Sequence, residues 1–504
     1  MKQHLYIKRT MLIASLFFVS TIGFTQEQRE RLNVNKVTLQ DIINLASKNS
    51  LDVFKAKRKY GVNYWRFRSF KSSLLPKIDF EARPFTYNSA LVERYDSELN
   101  IDVFRQQQTI NTFANLSLSQ NIGATGTRLF INSSFNRLEN FGLTKLETYN
   151  ATPVRIGLTQ PIMAFNTFKW QKQTAPLEYQ KAKQDFLSEL QTINIKAVDL
   201  FFKWALASQK VAIVRENKTT AEKLFNIGKK RYDVIAIERD DLLNLELDVY
   251  NANTTLTQNL QALQKAEAAL QLFLRDQLPQ GVLPELPELV SNLTIDINKA
   301  IELAYQNNPD ILNLKLKKVE ALRDLDRAIK DNRFDLSLSA SFGLNQQANT
   351  FVDAYGRFLD QQMVSIQFNM PILDWGERRG NIKTAKMNKE VIDIELQQNE
   401  ESYKQEVTLT VLDFNLQKQL VNDALRSRDL AKESYNLTEK RFLSGNVDFL
   451  NLTTSRRAWQ QANENYIRTL QNYWNLYYKV QQLTLYNFIK DTPLTQDFDN
   501  ILED

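Results

Sequence analysis

The sequence predicts a membrane α/β composite: a β-barrel shared between chains, continued by a long α-helical coiled-coil barrel and built from two internal repeats. Three observations carry this. The 504 residues are 43% hydrophobic yet include only 13 Gly and 11 Pro, so long uninterrupted elements are expected. Short segments recur at fixed offsets, which marks two copies of one unit. Between the helical stretches lie runs that alternate apolar with small or polar residues, the period-two pattern of a strand with lipid on one side.

The chain opens with MKQHLYIKRTMLIASLFFVSTIGFTQ, in which Lys2, Lys8 and Arg9 precede an apolar run from Met11 to Phe24. This is the layout of a secretory signal peptide, with cleavage expected near Thr25. The run is shorter than the roughly 20 residues of a spanning helix, and no later segment is apolar enough to be one. Membrane insertion would therefore rely on β-strands. The expected organisation is a signal peptide at 1–25, a first repeat at 26–274, a connector at 275–294, a second repeat at 295–490 and a tail at 491–504.

The helix-opening segment LQDIINLASKN (Leu39–Asn49) is echoed by INKAIELAYQN (Ile297–Asn307), 258 positions later. LTQPIM (Leu158–Met163) is echoed by FNMPIL (Phe368–Leu373), and KRYDV (Lys230–Val234) by KRFLS (Lys440–Ser444), both 210 positions later. The first copy thus holds roughly 48 extra residues ahead of Pro161, longer than an ordinary loop. Apolar positions such as Val407, Val411, Phe414, Val421 and Leu425 recur at helical spacing in a segment from about Trp375 to Ser444. Those roughly 70 residues would span on the order of 100 Å. The matching first-copy helix runs from about Lys169 to Lys230, and Pro176 either kinks it or delays its start. Shorter helices are expected at Leu39–Ser73, Asp241–Leu274, Ile297–Lys330 and Val447–Phe488. In each copy two of these, end to end, match one long helix, as coiled-coil packing requires. RDQLPQGVLPELPELVSNLT (Arg275–Thr294) is the connector.

In the second copy Phe334, Leu336, Leu338, Ala340, Phe342 and Leu344 alternate with polar or small residues, as do Val364, Ile366, Phe368 and Met370. The first copy repeats this at Ile78, Phe80 and Ala82, at Leu116 and Leu118, and at Val154, Ile156 and Leu158, with a less regular segment at Leu129–Phe135. Its extra length fits a hairpin turning at Gly123–Gly126. One chain then supplies four to six strands of about ten residues, fewer than the roughly eight a closed membrane barrel needs. Because an open edge in lipid leaves backbone groups unsatisfied, a homo-oligomer is implied. Trp65, Phe67, Phe70, Phe368 and Trp375 stand where interface belts would be.

No catalytic, cofactor or metal site is expected. The chain has no Cys, and its single His, His4, lies in the segment expected to be cleaved. Thiolate, Ser/His and His-ligated metal chemistry are thereby excluded. GATGTR (Gly123–Arg128) lacks the spacing and ending of a phosphate-binding loop. The net charge of +6 is spread over 64 basic and 58 acidic residues, without the basic blocks of a nucleic-acid binder.

The order and duplication of these motifs resemble the TolC family of outer-membrane efflux proteins across the chain after the signal peptide. The resemblance rests on the helix openings at Leu39 and Ile297, on Gln160, Pro161 and Pro371 at the strand-to-helix junctions, and on the paired Arg-aromatic tips. It implies a homotrimer with a β-barrel in outer-membrane lipid and a helical tunnel across the periplasm. It also implies a periplasmic adaptor and an inner-membrane pump as partners, and passive export of small molecules or proteins. The tips would be Arg231–Glu246 and Arg441–Arg456, with Arg231, Tyr232, Asp241, Arg441, Phe442, Gly445, Asp448 and Asn451 as gate or adaptor contacts. Asn451 stands where relatives often carry an acidic residue, for which Asp448 could substitute. Ile235 stands where the second tip has Gly445. Since a β-branched residue resists positive φ, the first turn is expected to be built differently. The rival readings are a soluble periplasmic coiled-coil scaffold, which the alternating strands disfavour, and a carboxylate-based hydrolase.

Overall fold

The computed structural model describes residues 36–96, 98, 100–141, 145–290, 293–444 and 446–502. The signal peptide expected at 1–25 lies outside them. Strand β1 (Lys36–Thr38) leads into helices α1 (Leu39–Asn49) and α2 (Leu51–Ser73). Four strands follow: β2 (Lys77–Asp96), β3 (Ile101–Ile122), β4 (Thr127–Phe141) and β5 (Leu146–Ile162). Helices α3 (Thr167–Asp233) and α4 (Arg239–Leu274) make the first helical hairpin, and the connector carries β6 (Leu283–Glu285). The second half contains α5 (Ile297–Asn307), α6 (Pro309–Asp331), β7 (Asp335–Ala348) and β8 (Leu359–Asn369). A second hairpin of α7 (Glu377–Leu443) and α8 (Phe449–Thr484) follows, then β9 (Tyr486–Asn487) and β10 (Thr492–Pro493).

The two long helices are 67 residues each and their partners 36 each, so the long helices reach about 100 Å. Helix α3 starts at Thr167, with the Asn166 side chain accepting the Lys169 N–H at 3.1 Å. Pro176 therefore sits inside the helix and does not delay it. The segments read as single helices at Leu39–Ser73 and Ile297–Lys330 each divide in two. Ser50 is extended, and its hydroxyl accepts the Val53 N–H, opening α2. Asn308 caps α6 in the same way, 258 positions on, and Pro309 drives it out of the helical region. Helix α8 ends at Thr484, ahead of the expected Phe488, because Leu485 turns left-handed.

The main core lies where the two halves meet. Ala197, Val198, Phe201, Phe202 and Trp204 of α3 pack in one cluster with Leu270 and Leu274 of α4, Val407, Val411 and Phe414 of α7, and Leu470, Tyr473 and Tyr477 of α8. Ile42 and Ala46 of α1 and Ala300 and Ala304 of α5 close it. The connector is not plain coil: β6 pairs in parallel with β1, and Lys36 meets Glu285 at 3.1 Å. The tail also docks, with Phe498 and Ile501 against Tyr60 and Phe186.

All six long strands form one antiparallel sheet in the order β2-β3-β4-β5-β7-β8. They are 11 to 22 residues long, longer than the ten expected. The extra residues of the first half are the β3–β4 hairpin, which turns at Gly123–Gly126. Gly126 has φ +77° and donates its N–H to Ile122 O at 2.8 Å, a conformation that Gly adopts without a Cβ clash. Gln160 Nε2 donates to Thr125 O at 3.2 Å, and Asn166 Nδ2 to Gly123 O at 3.0 Å. The junction residue Gln160 thus ties this turn to the end of β5, Asn166 ties it to the start of α3, and Pro161 packs beside Gly126.

One face of the sheet is apolar and exposed, including Ile78, Phe80, Leu116, Ile131, Ile156, Phe342, Val364 and Ile366. A register shift between Arg83 and Thr86 switches the outward residues of β2 from Ile78 and Phe80 to Phe85, Tyr87 and Leu91. The bulge keeps the same face apolar along a strand too long for strict alternation. The opposite face carries Ser117, Ser119, Asn132, Ser134, Ser339, Ser341 and Ser365, which the register sets on the alternate positions.

Asn308 is 2% exposed. Its Oδ1 accepts the Asp310 N–H at 2.7 Å, and its Nδ2 donates to Leu483 O at 2.9 Å. Asn308→Ala should lower stability by about 2–3 kcal/mol, measured by denaturant unfolding of the detergent-extracted protein. Asn308→Ser, which keeps the cap, should recover part of that loss.

Candidate functional site at the hairpin tips

Both hairpins turn at the same end of the molecule. At the first tip, Ala236 N–H donates to Arg231 O at 2.8 Å and Ile235 N–H to Tyr232 O at 2.9 Å. This is the double bond of a Schellman closure, with Ile235 in the position usually given to Gly. Ile235 has φ +57°, so the expectation that the turn avoids a left-handed residue is overturned. The closing bonds supply what the side chain opposes, at about 1–2 kcal/mol of strain. At the second tip Asn446 N–H donates to Arg441 O at 2.9 Å, the counterpart of the first long bond. Gly445 lies outside the described residues.

Between the tips is a cavity of about 290 Å³ lined by Arg231, Asp241, Phe442 and Asp448, together with Gly228, Ile237, Leu245 and Phe449. Four of the residues expected from sequence thus converge. Gly228 lets the first hairpin close tightly there, since a Cβ would lie 2.4 Å from Leu245 Cδ1. Phe442 packs edge-on to Phe449 at 6.4 Å and joins the cluster of Ile213, Leu224, Tyr435, Leu452 and Trp459. Asp448 accepts the Asn451 N–H at 2.9 Å, so its carboxylate caps α8. Tyr232 and Arg441 are not brought into the cavity; they are exposed on its outer side. Ile235 is 92% exposed and Val234 also projects into solvent.

Two charged ties between the hairpins were not singled out from the sequence. Arg456 Nη2 of α8 meets Asp248 Oδ1 of α4 at 3.3 Å, with side chains only 12% and 18% exposed. Further from the tips, Glu464 of α8 joins Lys210 of α3 at 2.8 Å and Arg468 at 2.7 Å. The hydrogen bond from Lys210 holds the Glu464 carboxyl below the usual range, burial opposes this, and Arg468 adds to it. Such a group stabilises above its unfolded pKa of roughly 4.3 and ceases to do so as pH falls through its lower folded value. Asp199 of α3 accepts from Gln471 at 2.8 Å and Asn475 at 2.7 Å. No sequence period marks the pairs that join the two hairpins, because their residues lie more than 200 positions apart.

At the other strand-to-helix junction Pro371 is exposed, with Ile372 and Leu373 beside it and Trp375 91% exposed at φ +50°. Trp65 and Phe368 are exposed as well. Phe67 is different: it stacks on Tyr179 at 4.6 Å with Phe70 behind it. A second aromatic group lies at the far end of the sheet, where Phe351 meets Phe135 at 5.6 Å and Tyr355 at 5.3 Å. Among the described residues no helix is long and apolar enough to cross a membrane, and no three His, Cys, Asp or Glu cluster to hold a metal.

The sequence pattern of the family described as outer membrane efflux protein matches residues 115–274 and 300–484. Among solved structures, the chain is similar to the CmeC outer membrane channel of Campylobacter jejuni. The TM-score is 0.64 at 16% identity, covering 92% of this chain and 88% of that one. It is also similar to the outer membrane protein VceC of Vibrio cholerae, with TM-score 0.62, 13% identity and coverage of 91% and 97%. For the open state of the MtrE outer membrane channel of Neisseria gonorrhoeae the TM-score is 0.60, at 14% identity with 91% and 90% covered.

Ile235→Gly should raise stability by about 1 kcal/mol, the relieved strain exceeding the added chain entropy. Thermal unfolding checks this; a loss of stability would mean that the exposed side chain makes contacts in the assembled protein.

Proposed function

The chain belongs to the outer membrane efflux protein family, and from that premise we propose that three copies form a passive export channel. The reading is of an outer-membrane barrel continued by a helical tunnel through the periplasm. Its main support is the six-stranded sheet, apolar and exposed on one face, polar on the other, with β2 and β8 as edges. An apolar outer face fits lipid, and unpaired edges in lipid would each leave backbone groups unsatisfied. Pairing β8 of one copy with β2 of the next removes both edges at once. Three copies then give about eighteen strands, in the range of barrels that leave an aqueous channel.

The helices extend about 100 Å from the sheet, well beyond a bilayer roughly 30 Å thick. We read the tips as the constricted periplasmic entrance and as the contact for an adaptor that couples the channel to an inner-membrane pump. The pump would supply the energy, and adaptor binding would favour hairpins moved apart. Arg231, Tyr232 and Phe442, with the Asp248–Arg456 pair, would hold the closed arrangement. Pulling the hairpins apart would uncover the Phe442 cavity and break that half-buried pair, a cost an adaptor contact must offset.

Native mass of the detergent-extracted protein tests the assembly. A trimer is expected, and a water-soluble monomer released without detergent would sink the channel reading. Replacing Arg231, Tyr232 and Phe442 by Ala, or Asp248 by Ala, should raise leak conductance in planar bilayers several-fold. Conductance equal to the parent would remove these residues from the gate.

A further inference from the structure

On the polar face of the sheet, most charges between the helix end and the bulge at Pro84 cancel locally. Lys77 meets Asp79 at 2.7 Å, and Arg83 meets Glu81 at 3.4 Å. Arg128 and Asp335 lie nearer the helices, two strands apart and in different register rows, and no ion pair joins them among the described residues. Further along the wall stands Arg155 of β5. No carboxylate pairs with it among the described residues; its Nε–H donates to Asn132 Oδ1 at 3.1 Å, which leaves its Nη donors unengaged. Its guanidinium lies 5.9 Å from the centre of the Phe130 ring, a distance at which the ring face attracts a cation.

Two glycines make this arrangement possible. A Cβ at Gly157 would fall 2.4 Å from Phe130 Cζ, and one at Gly343 would fall 2.9 Å from Arg155 Cα and Cβ. On either side in the register stand Asn132 and Gly343, so the neighbouring wall offers amide and hydroxyl groups and no acid. A planar, permanently charged fork held half-exposed in such a wall matches carboxylate, sulfonate or phosphate oxygens.

We infer that Arg155, propped against Phe130, is an anion-selecting element of the channel wall and that the channel favours solutes bearing carboxylate, sulfonate or phosphate groups. This rests on the channel reading above, in which the polar face lines the pore. Repeated in each copy, the guanidinium forms a positive ring. Its reach is set by screening, about 10 Å at 0.1 M salt and about 30 Å at 0.01 M. Anion preference should therefore be small at high salt and grow on dilution.

The test is the reversal potential of the purified oligomer in planar bilayers under a KCl gradient, at dilute and at molar salt. The parent should prefer chloride at dilute salt and lose that preference at molar salt. Arg155→Gln should lower the chloride-to-potassium permeability ratio at dilute salt by about twofold or more, while Arg155→Lys keeps part of the preference. A conducting parent with no anion preference at dilute salt, or an Arg155→Gln channel with the parent's ratio, would overturn the inference and leave the channel reading standing. A parent trimer that does not conduct would overturn both.

Discussion

In the proposed barrel every backbone N–H and C=O of the sheet must find a partner where water is absent, and this constraint organises the rest of the molecule. Within the chain the six strands satisfy one another through continuous antiparallel ladders. The outer strands β2 and β8 each have one side without a strand partner among the described residues. The exposed apolar face makes those sides costly in lipid, and the proposed closure between copies is the simplest way to satisfy them. The bulge at Pro84 belongs to the same economy, since it keeps β2 apolar outward without giving up the ladder.

The helices answer a different demand. Two 67-residue helices can stay straight and close only if something packs along their whole length. In each half, a shorter helix from the hairpin and a pair of helices broken at Ser50 or Asn308 supply that packing. Apolar contacts dominate in the core of Phe201, Trp204, Phe414 and Tyr473, midway along the long helices. Towards the tips a smaller apolar cluster of Ile213, Leu224, Tyr435, Leu452 and Trp459 is flanked by the ion pairs of Lys210 with Glu464 and Asp248 with Arg456.

The two tips solve one backbone problem with different residues. Both use the Arg carbonyl, of Arg231 or Arg441, as acceptor for the bond that closes the turn. Sequence comparison of the tips suggested a difference at Ile235, since propensity alone argues against a left-handed β-branched residue. The two local hydrogen bonds that close the turn overrode that propensity. Strain held in an exposed side chain is a common mark of a surface whose role is contact.

Much was legible without coordinates. The alternating strands, the long hairpins, the hairpin at Gly123–Gly126 and the placing of Arg231, Asp241, Phe442 and Asp448 at the hairpin tips all follow from periodicity, repeat offsets or resemblance, which are local or self-similar properties of the chain. The helix breaks were written in Ser50 and in Asn308 before Pro309, although a continuous apolar period masked them. What the sequence by itself determined is therefore the kind and order of elements, because hydrophobic period and turn residues act over a few positions. Tertiary structure alone decided which distant residues meet: Asp248 with Arg456, Phe498 with Tyr60, β6 with β1, and Arg155 over Phe130 in the space left by Gly157. Those pairings depend on how faces of separate elements are brought into register, and no short-range pattern records that.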